Sequence, residues 1–323
     1  MDIQRINIEN VEIKKERLDA LVAIFRSGRA TNSSYVVNFV NTNLCGEGII
    51  SLSKLVDVSS QLQTFYLYHN RIDNLHSACC LSRSLRSHTC IDHLWLAHCD
   101  LGSSPEILLI ILQSDISYID LSYNNIDSLG AVKIVEYLES NPPIRRIDLE
   151  HNRLNDDDAI LIAQALKRNT NLKTLSLNTN NFTSGGAKAL LTSVFDGSSL
   201  NAISESNHTL TEISFFSEES NRPIQRLDGF TARLLELDRT QKIVLALQDK
   251  DSLLTYLANV PVELIPEVLA FPHGRVDDQY QYKCLNIVYS TMRWWNMPML
   301  YSNHHCVKTD TKRKRDDKEE LSI

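Results

Sequence analysis

Residues 144–154 read IRRIDLEHNRL, a segment with large apolar residues at positions 1, 4, 6 and 11 and an asparagine at position 9. The same spacing recurs in four other clear copies and in three degenerate ones, making eight candidates. Their sixth positions are occupied by Ile8, Phe39, Leu67, Leu96, Leu121, Leu149, Leu177 and Phe215. A period of about 28 residues is typical of a solenoid, in which each repeat packs on its neighbours.

The residues that follow each segment have the periodicity of a helix. After Asn124, for example, Ala131, Ile134, Val135 and Leu138 fall on one face of a helix with 3.6 residues per turn. Repeats of this length leave room for a full helix after every strand. The sequence therefore predicts an α/β solenoid of parallel strands and helices over residues 1–220, with about eight repeats.

Polar residues at the turns have predicted structural roles. The asparagine at position 9 offers an amide that can pair with backbone groups where the chain leaves the strand. Cys99 stands at this position in one repeat, so we expect its thiol to be structural as well. Asp156, Asp157 and Asp158 precede a predicted helix, and we expect them to cap its positive end rather than to bind a cation.

On this spacing, residues 1–216 resemble the ribonuclease-inhibitor-like family of leucine-rich repeats. The resemblance implies a horseshoe whose parallel strands line the concave face and whose helices lie on the convex side. Proteins of that family include inhibitors, receptor sensor domains, actin-filament pointed-end proteins and Ran GTPase-activating proteins. The resemblance therefore implies a fold but does not indicate which function the chain performs.

Catalytic chemistry is not indicated by the sequence. The chain has no phosphate-binding loop, no dinucleotide-binding glycine motif, no nucleophile elbow and no HExxH motif. A net charge of -7 opposes a nucleic-acid partner, and the most apolar run, residues 107–112, is too short to span a membrane. We expect a non-catalytic scaffold that binds a protein partner and needs no cofactor, metal or small-molecule substrate.

Features of the two ends bear on location. The N-terminus lacks the apolar stretch of a secretory signal, and the seven cysteines are irregularly spaced, which fits a reducing compartment. A basic cluster of the kind that nuclear import receptors bind is formed by Lys312, Arg313, Lys314 and Arg315. A solvated charged tail is the commoner explanation for four such residues. We expect an intracellular protein, in the cytoplasm or, if the cluster is used for import, in the nucleus.

The repeat pattern stops near residue 220. Residues 221–305 suggest helices that would cap the last repeat, and residues 306–323 are predicted to be a disordered charged tail. Residues 196–207 are predicted to be an inserted loop. Residues 260–271 faintly resemble the opening of an F-box, which would imply docking to a ubiquitin-ligase adaptor.

The binding face is predicted from the positions that point away from the leucine core, namely the third, fifth, seventh and eighth of each repeat. The aromatic, histidine and acidic residues there form the candidate contacts: Tyr66, Tyr68, His69, Trp95, His98, Tyr118, Asp120, Tyr123, Asp148, Glu150 and His151. Because leucines already fill the core, exposed rings of this density suit a binding hot spot. Asp148 and Glu150 would add an acidic margin that favours a partner with a basic edge.

Alternatives remain open at this stage. The rings could instead stack across adjacent strands and stabilise the sheet. The shared column of His69, His98 and His151 could form a metal or proton-sensitive site, although an exposed ladder explains it without a ligand. A GTPase activator resembling the Ran-directed family is the main functional rival, since such a protein can act by orienting the GTPase's own machinery. The mixed charge of residues 308–323 differs from that family's acidic tail.

Overall fold

A computed structural model of the chain describes residues 5–27, 35–215, 235, 237–239 and 242–243. The chain divides into two compact units, Met1–Val268 and Leu269–Ile323, and all described residues belong to the first. The predicted cap is therefore described only at a few positions. The F-box-like segment 260–271 and the basic cluster 312–315 lie outside the described residues.

Within the described residues, eight parallel strands form one sheet in chain order. The strands are β1 (Arg5–Glu9), β2 (Tyr35–Val40), β3 (Leu62–Tyr66), β4 (His93–Trp95), β5 (Tyr118–Asp120), β6 (Arg146–Asp148), β7 (Thr174–Ser176) and β8 (Glu212–Ser214). The helices are α1 (Lys15–Arg26), α2 (Gly46–Val58), α3 (Leu75–Ser87), α4 (Pro105–Leu112), α5 (Ser128–Glu139), α6 (Asp156–Arg168), α7 (Ser184–Val194) and α8 (Leu200–Ser204). The predicted α/β solenoid is confirmed.

The core lies between the strands and the helices that follow them. Leu121, Leu149 and Leu177, at position 6 of successive repeats, are completely buried. Ile134 and Leu138, on the predicted apolar face of α5, join the same core cluster. The spacing of apolar residues in the sequence therefore identified the buried faces of both the strands and the helices, because each layer turns one apolar face toward the core.

The asparagines at position 9 form a buried ladder along the turns. Asn152 Oδ1 accepts hydrogen bonds from the backbone N–H groups of Asn124 (3.1 Å) and Ile126 (3.0 Å) in the preceding repeat. Its Nδ2 donates to the carbonyls of Leu121 and Leu149, both at 3.0 Å. Equivalent bonds are made by Asn70, Asn124 and Asn180. The predicted turn role is confirmed, and these amides also connect neighbouring repeats.

The other polar residues singled out at the turns are also structural. Cys99 is fully buried, its thiol donates to the carbonyl of Leu67 at 3.1 Å, and burial raises the pKa of the thiol to about 12. Asn155 and Asp158 form a capping box at the start of α6, with Asp158 Oδ2 accepting from the Asn155 N–H at 2.9 Å. Asp156 accepts from the Thr183 N–H at 2.7 Å, which ties α6 to the next repeat.

The segment after α7 differs from the prediction of a loop. Within residues 196–207, Leu200–Ser204 form α8, whose first turn is capped by the Ser199 hydroxyl accepting from Ala202 N–H at 3.1 Å. This capping explains why the segment is helical despite its serines and asparagines. Lys242 is buried against this end of the sheet, and its ammonium donates to the carbonyls of Val194 and Asn207, both at 2.9 Å.

Candidate partner-binding face

The open face is the side of the sheet opposite the helices, formed by positions 3, 5, 7 and 8 of each repeat. Its centre holds the aromatic cluster, which consists of Tyr66, Tyr68, Trp95 and Tyr118. Trp95 stacks on Tyr66 at 5.3 Å between ring centroids and meets Tyr68 and Tyr118 edge to face at 6.1 Å and 4.7 Å. The parallel register brings these rings together, because it pairs Tyr66 with Trp95 and places Tyr118 in the next strand.

Three rings of the cluster are partly exposed, and one is not. Tyr66, Tyr68 and Trp95 have intermediate exposure, whereas Tyr118 is only 7% exposed. The expected exposure of Tyr118 is wrong because Trp95 and the guanidinium of Arg146, 5.2 Å from its ring centroid, lie over it. The expectation that the rings lack a packing role is also wrong, since they stack across adjacent strands as the alternative predicted.

Asp120 is a second residue whose expected exposure is wrong. It is 5% exposed, and Tyr68 O–H donates to its Oδ2 at 3.3 Å. Its Oδ1 accepts from the backbone N–H of Ser122 at 2.8 Å. The carboxylate is therefore turned toward its own strand and its neighbours. Burial raises the pKa of Tyr68, with a further contribution from the adjacent Asp120, so this phenol stays protonated and remains a donor at neutral pH.

A second set of rings, the ring column, follows the exit of the strands. His69, His98, Tyr123 and His151 stack in sequence with centroid separations of 4.2 Å, 4.4 Å and 4.0 Å. All four residues have positive φ, between 51° and 58°, a left-handed backbone conformation that most side chains disfavour. Asn10, Asn41 and Thr179 take the same conformation, so this turn geometry recurs in the first seven repeats, whose turns the structure describes.

The ring column has the features of a ladder. Burial and the neighbouring His69 hold the pKa of His98 below its ordinary value, which favours the neutral imidazole that stacks well on its neighbours. Among the described residues, no group of three or more histidine, cysteine, aspartate or glutamate residues is arranged to hold a metal ion. The three histidines thus share one column, as the repeat spacing predicts.

Acidic residues lie beside the aromatic cluster. The acidic patch consists of Asp120, Asp148 and Glu150. Burial raises the pKa of Asp148 to about 6, with further contributions from Asp120 and Glu150. Glu150 Oε1 accepts from Ser176 Oγ at 2.5 Å and from the amide of Asn178. These bonds hold the Glu150 carboxylate in place on the open face.

Two further residues that the repeat spacing places on the open face belong to the site. His93 packs edge to face on Tyr118 at 5.2 Å, and Arg146 lies over the other part of that ring. Both stand at position 3 of their repeats, and the register pairs His93 with Tyr118 and Tyr118 with Arg146. Their shared position predicts that both face outward, as they do.

The middle of the chain matches a known repeat family. Residues 115–135, 140–163 and 168–191 match the family model described as a leucine-rich repeat. The chain carries leucine-rich repeats. Each matched segment contains one strand and most of the following helix, from β5 to α7. The repeats that carry Tyr118, Tyr123 and the acidic patch are therefore among the matched segments.

Comparison with solved structures gives a similar protein of low identity. The crystal structure of internalin C2 from Listeria monocytogenes str. 4b F2365 is 17% identical, with a TM-score of 0.31 over 67% of this chain and 81% of that chain. No curated protein matches the chain. No helix among the described residues is long and apolar enough to cross a membrane.

Proposed function

We propose that this chain is a non-catalytic scaffold that binds a protein partner on the open face of its sheet. The observation that carries the proposal is the partly exposed surface of Tyr66, Tyr68 and Trp95 on the open face of a sheet whose later strands lie in segments that match leucine-rich repeats. Tyrosine and tryptophan are enriched in binding hot spots, because their rings bury much area with little loss of conformational entropy. Their mutual stacking adds to this role, since it holds the rings in place before a partner arrives.

The acidic patch indicates the charge of the partner surface that lies beside the hot spot. Asp148 and Glu150 are both partly exposed next to the aromatic cluster, so a lysine or arginine of the partner could reach them. A basic group placed there would favour the ionised form of Asp148. We therefore expect binding to weaken as salt rises and to strengthen as pH rises from 5 to 7, because Asp148 loses its proton near pH 6.

Finer assignments extend the same proposal. The repeat length of about 28 residues and a full helix in most repeats support a ribonuclease-inhibitor-like subclass and, with it, an intracellular location. The Ran-directed GTPase activator and the F-box-like adaptor are the rival functions. Measuring GTP hydrolysis by Ran with and without the protein tests the first, and a large acceleration would overturn the non-catalytic proposal.

Affinity capture from the protein's own cells would supply the partner, and alanine variants would then test the face. Trp95→Ala and Tyr68→Ala should each cost about 2 kcal/mol of binding free energy, because each removes a central anchor. Isothermal titration with the purified partner would measure this loss, and circular dichroism would verify the fold.

A matched control is available on the helix side. Leu129 is 68% exposed and Val132 is 50% exposed on α5, so Leu129→Ala and Val132→Ala remove exposed apolar surface away from the open face. We expect both control variants to bind as well as the unmodified chain. Normal binding by the Trp95→Ala, Tyr68→Ala double variant, with loss of binding by the controls, would place the partner on the helices instead.

A further inference from the structure

A pocket opens at the edge of the open face where the middle strands begin. Its volume is about 530 Å³, and Tyr118 and Trp95 contribute the aromatic part of its lining. Arg145 and Arg146 contribute the basic part. The pocket adjoins the aromatic cluster but lies at the opposite end of the strands from the ring column.

The pocket holds two guanidinium groups from adjacent residues. Arg145 and Arg146 are both exposed, and neither forms an ion pair with any residue in the described part of the chain. Their backbone N–H groups both donate to the carbonyl of Ser117, at 2.8 Å and 3.0 Å, which fixes the origin of the two side chains. The Arg146 guanidinium is further held over the Tyr118 ring.

Two carboxylates lie near these arginines without forming an ion pair with them, although the charge of Arg146 partly offsets the rise that burial causes in the pKa of Asp148. Asp92 lines the pocket, but its Oδ1 accepts a hydrogen bond from His93 Nδ1 at 2.5 Å. Asp148 lies two residues beyond Arg146 on β6, and its Oδ1 accepts from the Glu150 N–H at 3.0 Å. The pocket therefore presents two guanidinium groups, and one carboxylate that is already bonded to His93, beside aromatic side chains.

We propose that this pocket binds an anionic side chain of the protein partner, a carboxylate or a phosphate, with the stem of that side chain against Tyr118 and Trp95. The inference rests on the proposed function and deepens it. An arginine fork matches the geometry of two oxygens on one acid group, and adjacent aromatic surface excludes water from the contact. Because the acidic patch lies further along the same strands, the partner segment would carry an acidic group at the Arg145 and Arg146 end and a basic group at the other.

Small aromatic acids test the pocket without the partner. Phenyl phosphate and phenylacetate carry the two anionic groups, while 2-phenylethanol and phenethylammonium provide neutral and cationic probes of similar size. The full-length protein would be titrated with each probe, and the Trp95 indole resonance would be followed by NMR, with Trp95→Phe used to assign it among the three tryptophans. We expect saturable shifts of the Trp95 resonance only with the anionic probes. Tighter binding of phenyl phosphate or of phenylacetate would indicate whether the pocket is suited to a phosphate or to a carboxylate.

Variants and controls complete the test. Arg145→Gln with Arg146→Gln should weaken binding of the anionic probe by about tenfold or more, because two charged donors are lost. Arg153→Gln, an exposed arginine of the same repeat outside the pocket, should leave binding unchanged. Arg145→Gln alone, at a side chain that leaves the Tyr118 contact intact, keeps the test valid if the double variant misfolds.

The outcome separates this inference from the proposed function. Equal binding of neutral, cationic and anionic probes, absence of a saturable shift, or full binding by the Arg145→Gln variant would overturn the pocket inference. None of these results would affect partner binding through Trp95 and Tyr68. Conversely, if the pocket binds phenyl phosphate but Tyr68→Ala, a change outside the pocket, leaves partner binding unchanged, the pocket inference is retained and the hot spot is rejected.

Discussion

The two sides of the sheet differ in how closely the repeats copy one another. On the helix side, the register lines up Ile119, Ile147 and Leu175, and all three are completely buried. On the open face, the same strands present Asp120, Asp148 and Ser176 in register. The interior requires a similar apolar volume from every repeat because neighbours share one core. The open face has no such requirement, so its residues can serve recognition.

Adjacent positions of a single turn show the same contrast. Position 9 holds a buried asparagine in most of the clear repeats, and its amide connects the backbones of two repeats. Position 8, one residue earlier, holds His69, His98, Tyr123 or His151 in a strained backbone conformation. One position is set by backbone hydrogen bonding, while the other varies and carries rings. We therefore expect substitutions at the two positions to differ in their effects on stability.

Replacing the ladder amide should have the largest effect. Asn152→Leu leaves the buried N–H groups of Asn124 and Ile126 without an acceptor. We expect this change, and likewise Asn124→Leu, to lower the free energy of unfolding by about 3 kcal/mol, since unsatisfied buried donors are costly. Urea denaturation would measure the loss.

Asn181 provides the control for the ladder. It follows the ladder residue Asn180, but it is exposed, and its amide makes one long hydrogen bond to the Arg153 carbonyl at 3.4 Å. Asn181→Leu should therefore change stability by less than about 0.5 kcal/mol. Equal losses at Asn152 and Asn181 would show that the ladder does not hold the repeats together.

An intermediate effect is expected on the open face at Asp148. Burial raises its pKa in the folded chain to about 6, above the value of an exposed aspartate, so the folded state holds the proton more tightly than the unfolded state. Its ionisation therefore destabilises the fold as pH rises through about 4 to 6. The free energy of unfolding of Asp148→Asn, taken relative to the parent, should be higher at pH 7 than at pH 4. After allowance for partial exposure, we expect this difference to be about 1–2 kcal/mol.

Urea denaturation of both proteins at the two pH values would measure the gain. The introduced asparagine would retain an acceptor oxygen for the Glu150 N–H, so the variant isolates the charge. The same substitution should weaken a partner that contacts the acidic patch through a basic group. A variant whose stability advantage is the same at pH 4 and pH 7 would contradict the role assigned to this carboxylate.

The smallest expected effect concerns the backbone at position 8. Thr179 has a φ of 53° and a β-branched side chain, which is poorly suited to the left-handed region. Thr179→Asn should stabilise the fold by about 0.5–1 kcal/mol, because asparagine adopts this conformation at lower cost. Tyr123→Asn relieves similar strain but loses the stacks with His98 and His151, so we expect no gain there.

Thermal unfolding of the two variants would compare strain with stacking directly. If Tyr123→Asn raises the unfolding temperature as much as Thr179→Asn does, the ring column contributes nothing to stability. In that case the rings of the column would be free to serve binding alone. If only Thr179→Asn raises the unfolding temperature, stacking between the rings of the column offsets the cost of their left-handed backbone conformation.

Much of the fold was predictable because it depends on spacing. The repeated leucines, the helix-face residues that follow Asn124 and the asparagines of the turns each mark one physical requirement of every repeat. Alignment of equivalent positions also predicted the column that contains His69, His98 and His151. The short helix α8 was missed because its sequence is rich in turn-forming residues, and its first turn depends on capping by Ser199.

The sequence by itself determined which residues face the helices and which face away, because a strand alternates its side chains and the register aligns the repeats. Only the tertiary structure decided how exposed the outward residues are. Tyr118 and Asp120 lie on the open face yet are buried, because side chains from other repeats lie over them. The pocket at Arg145 and Arg146 is decided in the same way, since its aromatic floor and its charges come from different strands. Side-chain contacts between strands depend on rotamers and neighbours, which spacing along one chain does not specify.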